Sequence, residues 1–319
     1  MLYLIVFILM FILELLYFRI ADKYNIIDKP NERSSHTQIT LRGGGVIFYF
    51  GALIYFLVSG FQYPWFFCGL TLMFIVSFLD DIYTISNKVR LLIHFCSVLL
   101  MAYQLAIFNL PWYYLIITFV VIVGVINACN FMDGINGMTA CYSAAVLLLL
   151  IYLNHENEFV DPRLLLFVLI AILVFAFFNV RIKAKAFAGD VGSVSIAYIL
   201  LFALGSLILK TGNVSYILFL GVYGVDAVWT IIRRLSLREN IFEAHRSHLY
   251  QYLGNEAGLN KLIVSFAYAI IQFFVGILVI SVSFLSSSFQ LIFTLGVVLL
   301  LSVIYILIKQ YVIKKFVLK

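Results

Sequence analysis

Eleven apolar runs of about 20 residues constrain this chain more than any other feature, because that is the length an α-helix needs to cross a bilayer. They begin near Met1, Gly43, Trp65, Leu91, Trp112, Met138, Pro162, Ser193, Ser215, Leu262 and Phe289, and each continues to the next polar break. The alternation of barrel strands is absent, so the spans are expected to be helices. The chain is 64% hydrophobic and 11% charged, against about a quarter charged in soluble domains. No soluble domain is hidden in it, and the expectation is one all-α polytopic membrane domain over residues 1–319. The first run has no basic residue before it, carries Glu14 and lacks a small-residue cleavage site. It reads as a retained helix, not a signal peptide.

Lys and Arg set the orientation. With the N-terminus outside and the loops alternating, all of the 21 basic residues except Arg163 and Lys210 fall on the cytoplasmic side, as does the C-terminus. Each such group placed at the bilayer centre would cost about 2.5–3.5 kcal/mol. The net charge of +6 therefore reflects topology and attraction to anionic lipid heads, and calls for no nucleic acid.

The polar islands follow the same rule. DKPNERSSHTQITLRGGG (28–45), the Asp80-Asp81 pair in FLDDIYTISNKVR, NACNFMDGINGM (127–138), FAGDVGS (187–193) and the loop around HRSHLYQ (245–251) all fall on the inner face. The outer links are short, and the most polar, NHENEFVDP, is mildly acidic. The chain thus gathers one site on its cytoplasmic side.

Each island has its own chemistry. Two adjacent carboxylates about 4 Å apart repel by roughly 4 kcal/mol at an effective dielectric of 20, so Asp80 and Asp81 need Lys88, Arg90 or a divalent cation nearby. A solvated helix cap explains one of them more easily than both. Asn127, Asn130, Asp133 and Asn136 recur every third residue, so neighbours in the series share a helix face. Their oxygens suit Mg²⁺ or Mn²⁺ rather than zinc; an interhelical hydrogen-bonding seam is the alternative, and it needs fewer than four such side chains in ten residues. FAGDVGS sets one carboxylate, Asp190, among small residues where a backbone can approach a ligand closely. His245 and His248, with Arg246 between them, fit an anion site, a two-histidine metal site or an amphipathic surface helix. Asp226 is an intramembrane acid and a functional candidate by default, with helix-to-helix pairing as its other role.

Absences narrow the field. No GxxxxGK[ST] occurs, so no P-loop site is expected. Cys68, Cys96, Cys129 and Cys141 lie in or beside apolar spans without paired spacing, which indicates neither disulfides nor a zinc cluster.

Taken together and in order, PNERSSH with RGGG, the Asp-Asp pair with Lys88 and Arg90, NxxNxxDGxxG, FxGDxGS and HRSH resemble the polyprenyl-phosphate N-acetylhexosamine-1-phosphate transferases. The resemblance runs from about Asp28 to Tyr252. It implies an enzyme of a bacterial inner membrane whose lipid phosphate substrate, undecaprenyl phosphate or a related polyprenyl phosphate, attacks the β-phosphorus of a UDP-N-acetylhexosamine. UMP leaves, and a polyprenyl-diphosphate sugar stays in the membrane. The sugar is expected to be GlcNAc or a deoxy derivative, in the first membrane step of O-antigen or cell-wall polysaccharide synthesis, with a homodimer as one available assembly.

Carried over by position, the resemblance makes Asn130 and Asp190 ligands of Mg²⁺, with Mn²⁺ as a substitute. Asp80, Asp81 and Asp133 become the catalytic carboxylates, Asp81 being the candidate to deprotonate or orient the lipid phosphate. Phe187 is expected to stack on uracil, with Asp133 and Asn136 beside the nucleoside and Asn127 also binding substrate. His36, Arg42, Arg90, His245, Arg246 and His248 would hold phosphates and sugar. Leu41 stands where relatives often have Pro, Asn136 where Asp is frequent, and Ile-Tyr-Thr follows the Asp pair without a further acid. None of these removes a proposed metal ligand. A transporter or flippase for an anionic lipid or sugar is the rival reading; it calls for polar residues near the midplane, whereas these lie on one side.

Overall fold

The computed structural model describes residues 1–30, 35, 38–83, 85–240 and 245–318. All eleven apolar runs are helical. They form α1 (Leu2–Lys23), α2 (Val46–Val58), α3 (Pro64–Tyr83), α4 (Asn87–Gln104), α5 (Tyr113–Met132), α6 (Met138–Asn157), α7 (Pro162–Asn179) and α8 (Gly189–Thr211). A 3₁₀ segment, Val214–Leu220, leads into α9 (Gly221–Ser236); the short turn α10 (Leu249–Gln251) precedes α11 (Lys261–Val282) and α12 (Ser287–Val312). Among the described residues, nine spans are long and apolar enough to cross a membrane, which defines an all-α polytopic membrane protein. Two expected spans fall short of that standard. α2 has only 13 residues, a reach of about 20 Å, and α4 carries Lys88, Arg90 and His94 near its start.

α8 is the central helix: 83% of its apolar window is buried, against 11% for α12 at the periphery. It packs against α2, α3, α5 and α6. Phe66 of α3 stacks on Phe202 and Tyr198 of α8, with ring centroids 4.1 and 5.8 Å apart. Local signals set several helix starts. Ser86, Asp161, Asn260 and Ser286 accept from backbone N–H groups at the starts of α4, α7, α11 and α12, which satisfies donors that a helix start leaves free.

The polar end is held together by backbone. Residues Ile27–Asp28 and Thr40–Leu41 form a two-stranded antiparallel pair, β1 and β2. From there the chain runs beside the loop that leads into α8. Phe187 N donates to Leu41 O at 2.8 Å, Gly44 N to Phe187 O at 2.8 Å, and Gly45 N to Ala188 O at 3.1 Å. RGGG and FAGD are therefore zipped to each other. Gly45 and Gly192 are the close-contact pair: a Cβ on Gly45 would lie 2.3 Å from the Gly192 Cα. The small residues of FAGDVGS thus serve approach to RGGG, where sequence reasoning assigned that closeness to a ligand. Gly45→Ala is expected to cost about 3 kcal/mol or more, read as lowered thermal stability in detergent. A change under about 0.5 kcal/mol, the scale of an ordinary surface substitution, would contradict so tight a contact.

Candidate active site

The C-terminal ends of α3, α5 and α7 and the N-terminal ends of α2, α4, α6 and α8 meet at this polar end. Asp81, near the end of α3, holds the start of α8: Asp190 N donates to its Oδ1 and Val191 N to its Oδ2, both at 3.0 Å. A foreign side chain thus caps the helix and places negative charge at its positive end. Gly189, at φ +72°, makes the turn, and a Cβ there would meet Asp81 Oδ2 at 2.6 Å.

Around this cap, charges alternate. Arg42 Nε lies 2.6 Å from Asp81 Oδ1, and its Nη2 3.2 Å from Asp190 Oδ1. Arg90 Nη1 lies 2.8 Å from Asp80 Oδ2, and its Nη2 3.8 Å from Asp190 Oδ2. Two guanidinium groups separate three carboxylates, so Arg42 and Arg90 offset the repulsion; Lys88 is exposed. Burial works against the Arg42 charge, but Asp81, Asp190 and Asp28 outweigh it and raise its proton affinity. Tyr17 of α1 fixes the Arg42 backbone by donating to its carbonyl at 2.6 Å.

A cavity of about 220 Å³ opens beside this array, lined by Asp28, Ser35, Arg42, Asn130, Asp133, Gly134, Ile135, Asn179, Phe187, Gly189, Asp190 and Gln251. It brings together Arg42, Asn130, Asp133, Phe187 and Asp190 from the sequence candidates, with Asp80, Asp81 and Arg90 directly behind. Asn130 Oδ1 accepts from Ser193 Oγ at 3.0 Å. Two others point elsewhere. Asn127 donates back to Val123 O at 2.8 Å within α5. Asn136 donates to Arg181 O and Ile182 O at 2.8 and 3.1 Å, and lines a second cavity with Lys183, Phe187 and Lys261. His245 and His248 sit together, ring centroids 5.0 Å apart, beside Phe131. Arg246 Nη2 lies 3.4 Å from Glu256 Oε1. His36 falls outside the described residues.

Sequence reasoning missed Asp28, Ser35, Asn179 and Gln251. Asn179 is the keystone among them. Its amide accepts from Gly137 N at 2.8 Å and donates to Ala186 O at 2.9 Å, tying the end of the NACNFMDGING loop to the FAGD segment. A lone Asn closing the apolar run of α7 was its only signal.

Asp133 follows α5 and accepts from Thr139 Oγ1 at 2.5 Å. Burial pushes its pKa up to about 7, with help from the Asp190 and Asp81 charges and against the Thr139 bond and Arg42. An unfolded Asp titrates near about 4, so between those values the folded protein keeps a proton that the unfolded chain releases. Stability falls as pH rises through that window. In EDTA and without nucleotide, Asp133→Asn is therefore expected to stabilise the protein at pH 8 by on the order of 2 kcal/mol. The gain should vanish toward pH 4; an equal gain at both pH values would refute the cause.

The cavity wall offers carboxylate and amide oxygens without thiolate or imidazole. That donor set fits a hard cation such as Mg²⁺, which takes one or two carboxylates and fills its shell with water and phosphate oxygens. No cluster of three His, Cys, Asp or Glu side chains suited to a metal occurs among the described residues, so a cation here would draw on one or two carboxylates, amide oxygens, water and phosphate.

Such an arrangement, with the Arg42 guanidinium and oxygen donors facing one cavity at the end of a membrane bundle, is suited to an anionic, phosphate-bearing substrate. A family model described as "Glycosyl transferase family 4" matches residues 63–208. A Bacillus subtilis protein described as a probable undecaprenyl-phosphate N-acetylglucosaminyl 1-phosphate transferase is 29% identical over 256 residues, covering 74% of this chain and 71% of that one. Undecaprenyl-phosphate alpha-N-acetylglucosaminyl 1-phosphate transferases of Yersinia pestis and Thermotoga maritima are each 26% identical, over 74% and 77% of this chain and 71% and 80% of theirs. Over about three-quarters of its length, then, the chain is similar to undecaprenyl-phosphate N-acetylglucosaminyl 1-phosphate transferases.

Proposed function

We propose that this protein transfers an N-acetylhexosamine 1-phosphate from a UDP-sugar to a polyprenyl phosphate, undecaprenyl phosphate in the first instance, at the cytoplasmic face of a bacterial inner membrane. One observation carries the reading: Asn130, Asp133, Asp190, Arg42 and Phe187 line a single cavity at a bundle end fed by most of the basic loops. GlcNAc is the first sugar to test, since the relatives named above act on it.

A lipid phosphate oxygen forms a bond to the β-phosphorus, the bond from that phosphorus to the bridging oxygen breaks, and UMP departs with the electron pair. Positioning and charge neutralisation supply most of the catalysis in phosphoryl transfer. Arg42 and Arg90 set positive charge against the diphosphate, and Phe187 offers a face to the base. Asn130 and Asp190 would hold Mg²⁺, which when bound neutralises charge on the diphosphate. Asp81 has both oxygens engaged, so its part is to fix Asp190 and Arg42 in place. Asp133, in the cavity wall, orients substrate through its free lone pairs.

The test is the lipid product. Purified protein given UDP-GlcNAc and undecaprenyl phosphate with Mg²⁺ should yield a lipid whose mass equals the acceptor plus one N-acetylhexosamine 1-phosphate. A lipid fraction of unchanged mass with every UDP-N-acetylhexosamine offered would refute the reading.

A further inference from the structure

Behind the cavity, a buried polar cluster joins α9, α11 and α12 to the histidine loop. Asp226 of α9, 1% exposed, lies at its centre. Leu249 N donates to Asp226 Oδ1 at 3.1 Å, Thr230 Oγ1 lies 3.2 Å from the same oxygen, and Tyr268 OH donates to Oδ2 at 2.7 Å. His248 Nδ1 is 3.1 Å from Oδ1. With backbone and tyrosine donors already turned toward it, the carboxylate acts as an acceptor, which places a proton on His248 Nδ1. Lys309 of α12, 4% exposed, completes the support: it donates to Thr230 Oγ1 at 3.2 Å and bonds to Tyr305 OH.

The other side of the imidazole is different. His248 is 2% exposed, yet its Nε2 makes no hydrogen bond among the described residues. Buried polar atoms are normally paired, and one left over in an otherwise satisfied network asks for a partner from outside the chain. The ring lies 6.2 Å from that of Phe131, the residue after Asn130. His248 N bonds to Gln251 Oε1 at 3.1 Å, and Gln251 lines the cavity that holds Asp190.

We propose that Asp226 is a positioning residue: it holds His248 by Nδ1–H so that Nε2 meets a phosphate oxygen of the nucleotide substrate, with Tyr268 and the Thr230–Tyr305–Lys309 chain fixing the carboxylate. This rests on the transferase reading. An ionised Asp226 across the ring balances the imidazolium that donates through Nε2–H to an anionic oxygen. The arrangement is that of a carboxylate orienting a histidine from behind, where loss of the carboxylate leaves the ring unanchored and its charge unbalanced.

Two measurements test it. In protein labelled with ¹⁵N-histidine, the His248 signals, identified by their loss in His248→Ala, should show a protonated Nδ1 and should change in Asp226→Asn. UMP, used as the probe, should move the Nε2 signal in the wild type. In turnover, Asp226→Asn should lower kcat/KM for the UDP-sugar by about ten- to a hundred-fold. KM for the polyprenyl phosphate should stay within about two-fold, and the same substitution should add almost nothing in a His248→Ala background. If Asp226→Asn does not fold, Tyr268→Phe takes its place with a smaller loss and the same dependence on His248. Losses that multiply across the two sites, or His248 signals unchanged by Asp226→Asn and by Tyr268→Phe, would overturn the proposal. A wild type that transfers no sugar from any donor would sink the transferase reading, while the ¹⁵N signals would still decide whether Asp226 orients His248.

Discussion

Asp190→Ala is expected to lower UMP release by about 10³-fold or more in a protein that still inserts and folds. Asp190 stands in the first turn of α8, where its side chain faces both Arg42 and Arg90. Its removal leaves those guanidinium groups their other carboxylates, Asp81 and Asp80. Both arginine side chains are also partly exposed, at 34% and 24%, so water covers what is lost and the fold survives. The cavity, by contrast, loses a carboxylate that faces the proposed diphosphate. Asn130→Ala should behave alike, since Ser193 Oγ keeps Gly189 O as a partner at 3.1 Å. Full turnover in either variant would remove the metal assignment.

Asp81→Ala should fail in a different manner, losing stability and activity together. Its side chain is fully buried, and three donors converge on it: two backbone N–H groups and the Arg42 guanidinium. Removing one partner of a buried, hydrogen-bonded charge pair costs about 3–5 kcal/mol. Asp81→Asn should be nearly as harmful, because one end of an amide must then turn its own N–H toward a donor. The contrast with Asp190 is the informative quantity: unfolding in detergent should shift for the Asp81 variants and hold for Asp190→Ala. An Asp81→Asn protein of wild-type stability without turnover would instead make Asp81 the group that acts on the lipid phosphate.

What could be read from the sequence depended on the range of the interaction. Apolar runs and basic loops are local, additive signals, and all eleven runs are helical. The short reach of α2 was hidden because GGGVIF continues the hydropathy of the run while its glycines belong to the turn before the helix. The spacing of Asn127, Asn130, Asp133 and Asn136 misled for a geometric reason. α5 ends at Met132, before Asp133 and Asn136, so only Asn127 and Asn130 share the helix, and the Asn127 amide is turned back along it to Val123 O. The zipper between RGGG and FAGD and the brace through Asn179 join residues far apart in the chain. Nothing in the local pattern around Gly45 says that its neighbour is Gly192. The Asp-Asp pair announced a need for positive charge, and Arg90 was legible as one answer; Arg42, nearly forty residues upstream, became its partner only through the fold.

The most direct measurement of the central claim is UMP release by purified protein with undecaprenyl phosphate, over a panel of UDP-N-acetylhexosamines, with Mg²⁺ and then with EDTA. The site described above predicts release that depends on the lipid, stops in EDTA and returns with Mg²⁺ or Mn²⁺, with one sugar favoured. Folded protein that releases no UMP from any donor would contradict it, and release that continues unchanged in EDTA would contradict the role given to Asn130 and Asp190.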